Sequence, residues 1–323
     1  MKKNSKIVTL ASLFILVAIS VFAALPFVVT EAKLNSYRDR AVAALEECSD
    51  GYDAQTIVLN GTNVEEAKKL AEKLDAKLRI TRDGSYATLT LRDGVTIDDV
   101  YRSREYREYL PKFTPDPVAG TSDVEEVVEE SSTRLPTAPE YSVSDTLYSY
   151  QTYLDYVHLE GAWNSYRGSG VTVAVIDTGI DTDHAEFTGK ISEYSYNATD
   201  DKIVKDYLLE DGSYDWSIIE DEQGHGTSVA GVIAASMDGN GTVGIAPEVT
   251  LLVIKAECDD RGNFLRTSDL VFGLYYAIER DADVVNMSFG TGSNFFAAPA
   301  RLADDSDVTL VAAAGNESTS ALT

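Results

Sequence analysis

The sequence predicts a three-layer α/β domain on a parallel sheet over residues 146–323, preceded by a small α+β unit over residues 31–113. Three observations carry this. Beyond Val171, short buried-type β runs alternate with helical stretches, the pattern of βαβ units with right-handed crossovers. Between residues 31 and 113 the apolar spacing switches between periods 2 and 3.6, giving strand, helix, two strands and helix. Residues 114–145 separate the two as a linker: Pro115, Pro117, Pro136 and Pro139 and an acidic cluster from Asp123 to Glu130 keep such a chain extended and solvated.

With 323 residues, 44% of them hydrophobic, the chain can fill two cores. Its net charge of −26 is uneven, about −5 over residues 1–140 and −21 over residues 141–323. An acidic second half argues against nucleic acid as a partner, since phosphate binding needs the opposite sign. Residues 1–24 carry Lys2, Lys3 and Lys6 ahead of an apolar run from Ile7. They read as a secretory signal cut after Ala23, or as an uncleaved membrane anchor, the apolar run of about 18 residues bordering on spanning length. Either places the rest in a secreted or cell-surface setting, with membrane contact only through this segment. Cys48 and Cys258 fall in different units, so no disulfide framework is assigned.

In the first unit, Gln55–Leu59 is a β run and Asn63–Leu74 has helical spacing through Val64, Ala67, Leu70, Ala71 and Leu74, with Thr62 or Asn63 as cap. Lys77–Thr81 and Tyr86–Leu91 form a hairpin around Asp83-Gly84, Thr96–Tyr106 a second helix, and Tyr109–Phe113 a returning strand. In the second unit, Leu154–Trp163 is a short helix and Gly168–Gly170 a turn into the strand Val171–Ile176. Then follow an acidic, aromatic insertion over residues 194–222 that reads as a surface loop, a helix at His225, a strand Thr250–Lys255, and a helix Ser268–Arg280. Strands Val284–Met287 and Val308–Ala313 flank a helix near Ala297–Ala303.

Three motifs carry chemistry. In GHGTSVAG (Gly224–Gly231) a histidine between residues without a Cβ opens a helix, and the small residues after it permit close packing. VTVAVIDTGID (Val171–Asp181) is a buried strand ending in an acid and a glycine turn, and LVAAAGNES (Leu310–Ser318) a second one ending in Gly315-Asn316. Both deliver polar groups at a strand's carboxyl end, where parallel sheets build their sites.

Asp177, His225 and Asn316, in this order and setting, resemble the subtilisin-type serine peptidases, and the resemblance runs from about Tyr148 to the last residue. It implies that Asp177 orients the imidazole of His225, that His225 takes the proton of a serine hydroxyl, and that the Asn316 amide stabilises the oxyanion. It also implies polypeptide substrates, no cofactor for the chemistry, and a role for residues 31–113 as a pro-domain that occupies the cleft until processing between Leu135 and Asp145. The family's serine, in a GTSxA setting well beyond the oxyanion asparagine, is not found within the 323 residues. Ser318 and Ser320 lie in a turn, and Ser228 lies on the histidine helix and is read as packing. The chain by itself is therefore expected to be an inactive piece of a zymogen. The alternative is a non-catalytic relative that binds peptides or another peptidase.

By the same resemblance Ser288, Phe289 and Gly290 form one edge for an extended peptide, with Gly262 on the opposing edge. Glu186, Asp238, Asn240 and Thr242 are placed where family members hold structural calcium. The run Asp238 to Gly241 is equally good turn chemistry without a metal.

Overall fold

The computed structural model describes residues 31–47, 51–121, 143–157, 159–256, 264–290 and 294–315. The first unit opens with a helix that the apolar spacing does not signal, α1 (Glu31–Glu47). It continues with β1 (Tyr52–Leu59), α2 (Val64–Leu74), β2 (Lys77–Ile80), β3 (Ala87–Thr90) and α3 (Ile97–Arg102). Asn63 caps α2, its side chain accepting from the Glu66 amide at 2.9 Å. A Thr96/Asp99 capping box starts α3. This helix ends sooner than expected because the Ser103 hydroxyl accepts from the Glu105 amide at 3.2 Å, a local bond that competes with another helical turn.

Two expectations need correction here. The returning strand does not lie at 109–113, where a 3-10 turn (Leu110–Lys112) stands, and the linker does not begin at 114. Instead β4 runs from Phe113 to Thr121. Its first half pairs antiparallel with β1 (Phe113 opposite Leu59, Pro117 opposite Tyr52). Pro115 and Pro117 alternate with Thr114 and Asp116, so their missing N–H groups fall on one side of the strand. Over that half, β4 has a partner on one side only among the described residues, so the prolines cost no ladder bond there. Proline content signalled a linker and instead marks the free edge of a strand.

The second unit contains α4 (Tyr153–Tyr156), α5 (Glu160–Trp163), β5 (Thr172–Asp177), β6 (Tyr196–Asn197), β7 (Lys202–Ile203), α6 (His225–Ala234) and β8 (Thr250–Lys255). After these come β9 (Phe264–Arg266), α7 (Thr267–Glu279), β10 (Val284–Met287), β11 (Phe289–Gly290), α8 (Ala297–Asp305) and β12 (Thr309–Ala312). The central sheet has the order β12-β10-β5-β8-β6-β7, parallel from β12 to β6. Alternation along the strands builds the three layers. Val173, Val175, Leu251 and Val253 pack with Ala230 and Ala234 of α6. Ala174, Ile176, Leu252 and Ile254 pack with Leu270, Leu274 and Ala277 of α7.

The 194–222 insertion is not a surface loop. Its β6 joins the sheet beside β8, and Ala198, Val204 and Ile219 are fully buried. Its acidic, aromatic composition is that of a chain with one wet face and one packed face.

Helix α7, apolar nearly all round, is held between two sheets. Opposite its Leu270 face, Val271, Phe272 and Tyr275 pack on Val58 and Tyr86 of the first unit. Polar contacts ring this seam. Arg79 of β2 pairs with Asp269 at 3.1 Å and lies 3.9 Å from the Phe272 ring centre. Arg266 bridges Asp269 at 2.8 Å and Asp53 at 3.2 Å. Asp116 of β4, fully buried, accepts from the Ser268 amide at 2.9 Å and bonds its hydroxyl. The last residues of β4 then enter the second unit, with Val118 to Gly120 opposite Arg266 to Phe264 of β9. On their other side, Gly120 and Thr121 lie opposite Gly290 and Phe289 of β11.

Candidate active site

Asp177 is the last residue of β5, delivered at the sheet's carboxyl edge and 1% exposed. The turn after it needs Gly179, whose φ of +120° is closed to most side chains and whose added Cβ would stand 2.6 Å from the Ile219 carbonyl oxygen. His225 is the first residue of α6, which starts at Gly224 with φ of +90°. An added Cβ at Gly226 would land on the Gly179 carbonyl oxygen, so the two turns touch backbone to backbone. The glycines around His225 thus serve this close approach. The outcome is a bond of 2.6 Å between His225 Nδ1 and Asp177 Oδ1. The same oxygen accepts from the Thr178 amide at 2.8 Å. With Nδ1 donating to the carboxylate, the other ring nitrogen, Nε2, is left as a proton acceptor.

Sequence reasoning missed the residues that hold this pair. Asp221 Oδ1 accepts from the Thr178 hydroxyl at 2.8 Å and the Gly224 amide at 2.9 Å. Its Oδ2 accepts from the Thr227 amide at 2.9 Å and the Thr227 hydroxyl at 2.6 Å. Burial pushes this carboxyl up, but the bonds from Thr227, Gly224 and Thr178 outweigh it and hold it below the ordinary carboxylate range. The signal available in the sequence was an acid four residues ahead of the histidine, with the threonine of DTG and that of GHGT as its matching donors.

Other expected residues fall in several places. Ser228, read as packing, is exposed, and its hydroxyl donates to the Gly224 carbonyl at 2.8 Å. Two residues from both Gly226 and Ala230, it lies opposite the packed face of α6. Phe289 and Gly290 form β11 against β4, and Ser288 precedes them, its hydroxyl 2.9 Å from Asn286 Nδ2. Asn316, Gly262, Cys48 and Cys258 lie outside the described residues, as do residues 1–24 and the proposed processing stretch up to residue 142.

Glu186 accepts from the Ser236 amide at 2.9 Å and the Thr242 amide at 3.1 Å, and burial raises its pKa. Asp238 accepts from the Asn240 amide at 3.0 Å. Asp145 Oδ1 accepts from the Asp238 and Gly239 amides, each at 3.2 Å, while its Oδ2 is buried with no hydrogen-bond partner among the described residues. Among the described residues, no group of three or more His, Cys, Asp or Glu side chains is gathered as a metal cluster.

Known proteins resemble this chain in sequence and in fold. Residues 168–323 match the family model described as the subtilase family. The chain is 38% identical over 166 residues to an intracellular serine protease of Paenibacillus polymyxa, covering 51% of this chain and 47% of that one. It is 36% identical over 153 residues to the major intracellular serine protease of Bacillus subtilis (strain 168), covering 47% and 44%. Subtilisin E from the same organism is 36% identical over 160 residues, covering 49% and 37%. The chain thus spans about half or less of the length of these relatives. Among solved structures, fervidolysin from Fervidobacterium pennivorans superposes with a TM-score of 0.60 at 22% identity. That likeness, one of fold, covers 82% of this chain and 40% of the other, a share that residues 168–323 alone could not supply. In sequence, residues 168–323 resemble the subtilase family, and in fold the chain resembles a subtilisin-related enzyme.

Proposed function

We propose that the chain is an N-terminal piece of the zymogen of an exported serine endopeptidase, inactive by itself. The observation that carries this is the 2.6 Å bond between His225 Nδ1 and Asp177 Oδ1 at the sheet's carboxyl edge. Asp177 fixes the ring and stabilises the imidazolium, and His225 Nε2 accepts the proton of a serine hydroxyl as that oxygen attacks the peptide carbonyl. The Asn316 side chain donates to the developing oxyanion. The same imidazolium then returns its proton to the departing amine. Ser288, Phe289 and Gly290 on one side and Gly262 with β9 on the other bind the substrate's main chain, which accounts for a polypeptide substrate class without a sequence requirement.

Residues 31–121 act as the pro-domain, with β4 in the cleft. What supports this is that β4 pairs on both sides, with β9 and β11, as an extended peptide would. From Gly120 to Thr121 the strand runs from Gly290 back toward Met287, which lies beside Ile176, the neighbour of Asp177. The stretch between Leu135 and Asp145 is the region of processing. Residues 1–24 direct export. Among the described residues no helix is long and apolar enough to cross a membrane.

Catalysis by the family needs no cofactor. A structural calcium ion would be held by Glu186, Asp238, Asn240 and Thr242, of which only two are carboxylates. Equilibrium calcium binding with a rise in melting temperature supports that site, and no uptake by the folded chain removes it.

A fluorophosphonate probe tests the main reading. The 323-residue chain stays unlabelled, and a product of the gene carrying an in-frame GTSxA serine past codon 323 is labelled in a His225-dependent way. A stop at codon 324 with no such serine leaves only a binding function. Labelling of the 323-residue chain that His225→Ala abolishes would overturn the assignment of the missing nucleophile.

A further inference from the structure

An imidazole is only as well placed as the backbone beneath it, and that of His225 opens a helix at a glycine that offers no side-chain cap. The amides of a first helical turn need acceptors from outside the helix. Here they come from two side chains. Thr178 Oγ1 accepts from the Gly226 amide at 2.9 Å, and Asp221 accepts from the amides of Gly224 and Thr227, both at 2.9 Å. The residues on either side of His225 are therefore both tied down. The Thr178 hydroxyl, having accepted from Gly226, donates its own proton to Asp221 at 2.8 Å. One hydroxyl and one carboxylate thus join the residue after Asp177 to the start of the histidine helix.

Asp221 is itself held by its neighbours. The three carbonyls before it each receive a donor from a different element. Ile218 accepts from Asn197 Nδ2 at 2.9 Å, Ile219 from the Ile180 amide at 3.0 Å, and Glu220 from Lys255 Nζ at 2.8 Å. The Asp221 amide donates to the Ile180 carbonyl at 3.1 Å. A buried lysine used to fix one main-chain carbonyl shows how fully this segment is determined.

We propose that Asp221 is the positioning residue of the Asp177–His225 pair, setting with Thr178 the register of the DTG turn against α6 so that Nδ1 meets the carboxylate. This rests on the reading of that pair as an acid–base dyad. Helix capping alone would engage the amides of residues 224, 226 and 227. The bond between Thr178 and Asp221 does something further, because it couples two elements that are 43 residues apart. With no side-chain volume between Gly179 and Gly226 to act as a spacer, these bonds set the distance.

The test is proton NMR of the 323-residue chain, read at the downfield Nδ1 proton of His225 in its bond to Asp177. Asp221→Asn turns an NH2 group toward backbone amides or toward Thr227, donor against donor, and is expected to shift that resonance upfield or abolish it. Thr178→Val is expected to do the same by removing only the connecting hydroxyl, whereas Thr178→Ser retains the resonance. Asp211→Asn removes a carboxylate that, among the described residues, bonds to Ser213 in the same insertion, and leaves the signal in place. A cap without a positioning role would lower stability while leaving the resonance of the folded protein unmoved. An unmoved resonance in folded Asp221→Asn overturns the proposal. If that variant does not fold, the Thr178→Val result decides in the same way. Absence of the resonance from the wild-type chain would count against the dyad itself.

Discussion

Asp116 is a carboxyl at the centre of the seam between the two units, and its replacement by asparagine gives a quantitative test of how that seam is built. Burial pushes its pKa from 3.8 up to about 8, with the charges of Asp269 and Asp53 adding and the Ser268 bonds opposing. Between those two values the folded chain keeps a proton that the unfolded chain has lost. Stability therefore falls as pH rises, by about 1.4 kcal/mol per pH unit. The contribution is fully present below 3.8 and is lost as pH climbs through about 8. This amounts to about 4 kcal/mol by pH 7 and about 6 kcal/mol above pH 8. Asp116→Asn mimics the protonated acid: its Oδ1 accepts from the Ser268 amide and its NH2 donates to the Ser268 hydroxyl, at every pH. The difference in unfolding free energy between variant and wild type should therefore grow in favour of the variant, from near zero at pH 4 to several kcal/mol at pH 8. Urea denaturation of both chains at four or five pH values measures it, and other titrating groups cancel in the difference. A difference that stays flat across this range would mean that Asp116 ionises normally within the fold.

Three further outcomes follow from named contacts. Arg79→Ala leaves Asp269, 3% exposed, without one of its two arginines, and should cost about 3–5 kcal/mol in the docking of the first unit, read by calorimetry. Gly226→Ala forces α6 off the Gly179 carbonyl and should destabilise the chain by about 1–3 kcal/mol, with loss of the downfield Nδ1 signal. Leu89→Ala, at a fully buried position of β3, should cost about 2–5 kcal/mol in urea. A value near zero would mean that the first unit's core is not packed around it.

The parts of the fold that were legible in the sequence are those whose physics is local. Val171–Ile176 and Thr250–Lys255 read as buried parallel strands because both faces are covered and every position but Thr172, Thr250 and Lys255 is apolar. The α2 helix read correctly because Asn63 and the spacing through Leu74 are self-contained signals. The β4 strand was illegible because its prolines are tolerated only where one side lacks a partner, which depends on topology. Likewise the insertion at 194–222 hides a sheet strand of two residues, too short to show a period. In the site, Asp177 and His225 stood out through glycines demanded by close approach, while Asp221 did not, since the partner that couples it to the acid's turn, Thr178, is 43 residues away in the chain. The all-round apolarity of α7 was a visible clue, and its cause is a second sheet lying on the far side.

That β4 belongs to both units has a consequence for what cutting the chain does. A break between residues 122 and 142 would leave every β4 pairing with β9 and β11 in place, since those contacts end at Thr121. Before the break the strand meets its groove as part of the same chain, at the effective concentration that covalent connection sets. Afterwards it is an ordinary ligand that dilution or digestion can remove. Release of the groove is then governed by the concentration of the severed unit relative to its affinity, without any atom at the interface having moved.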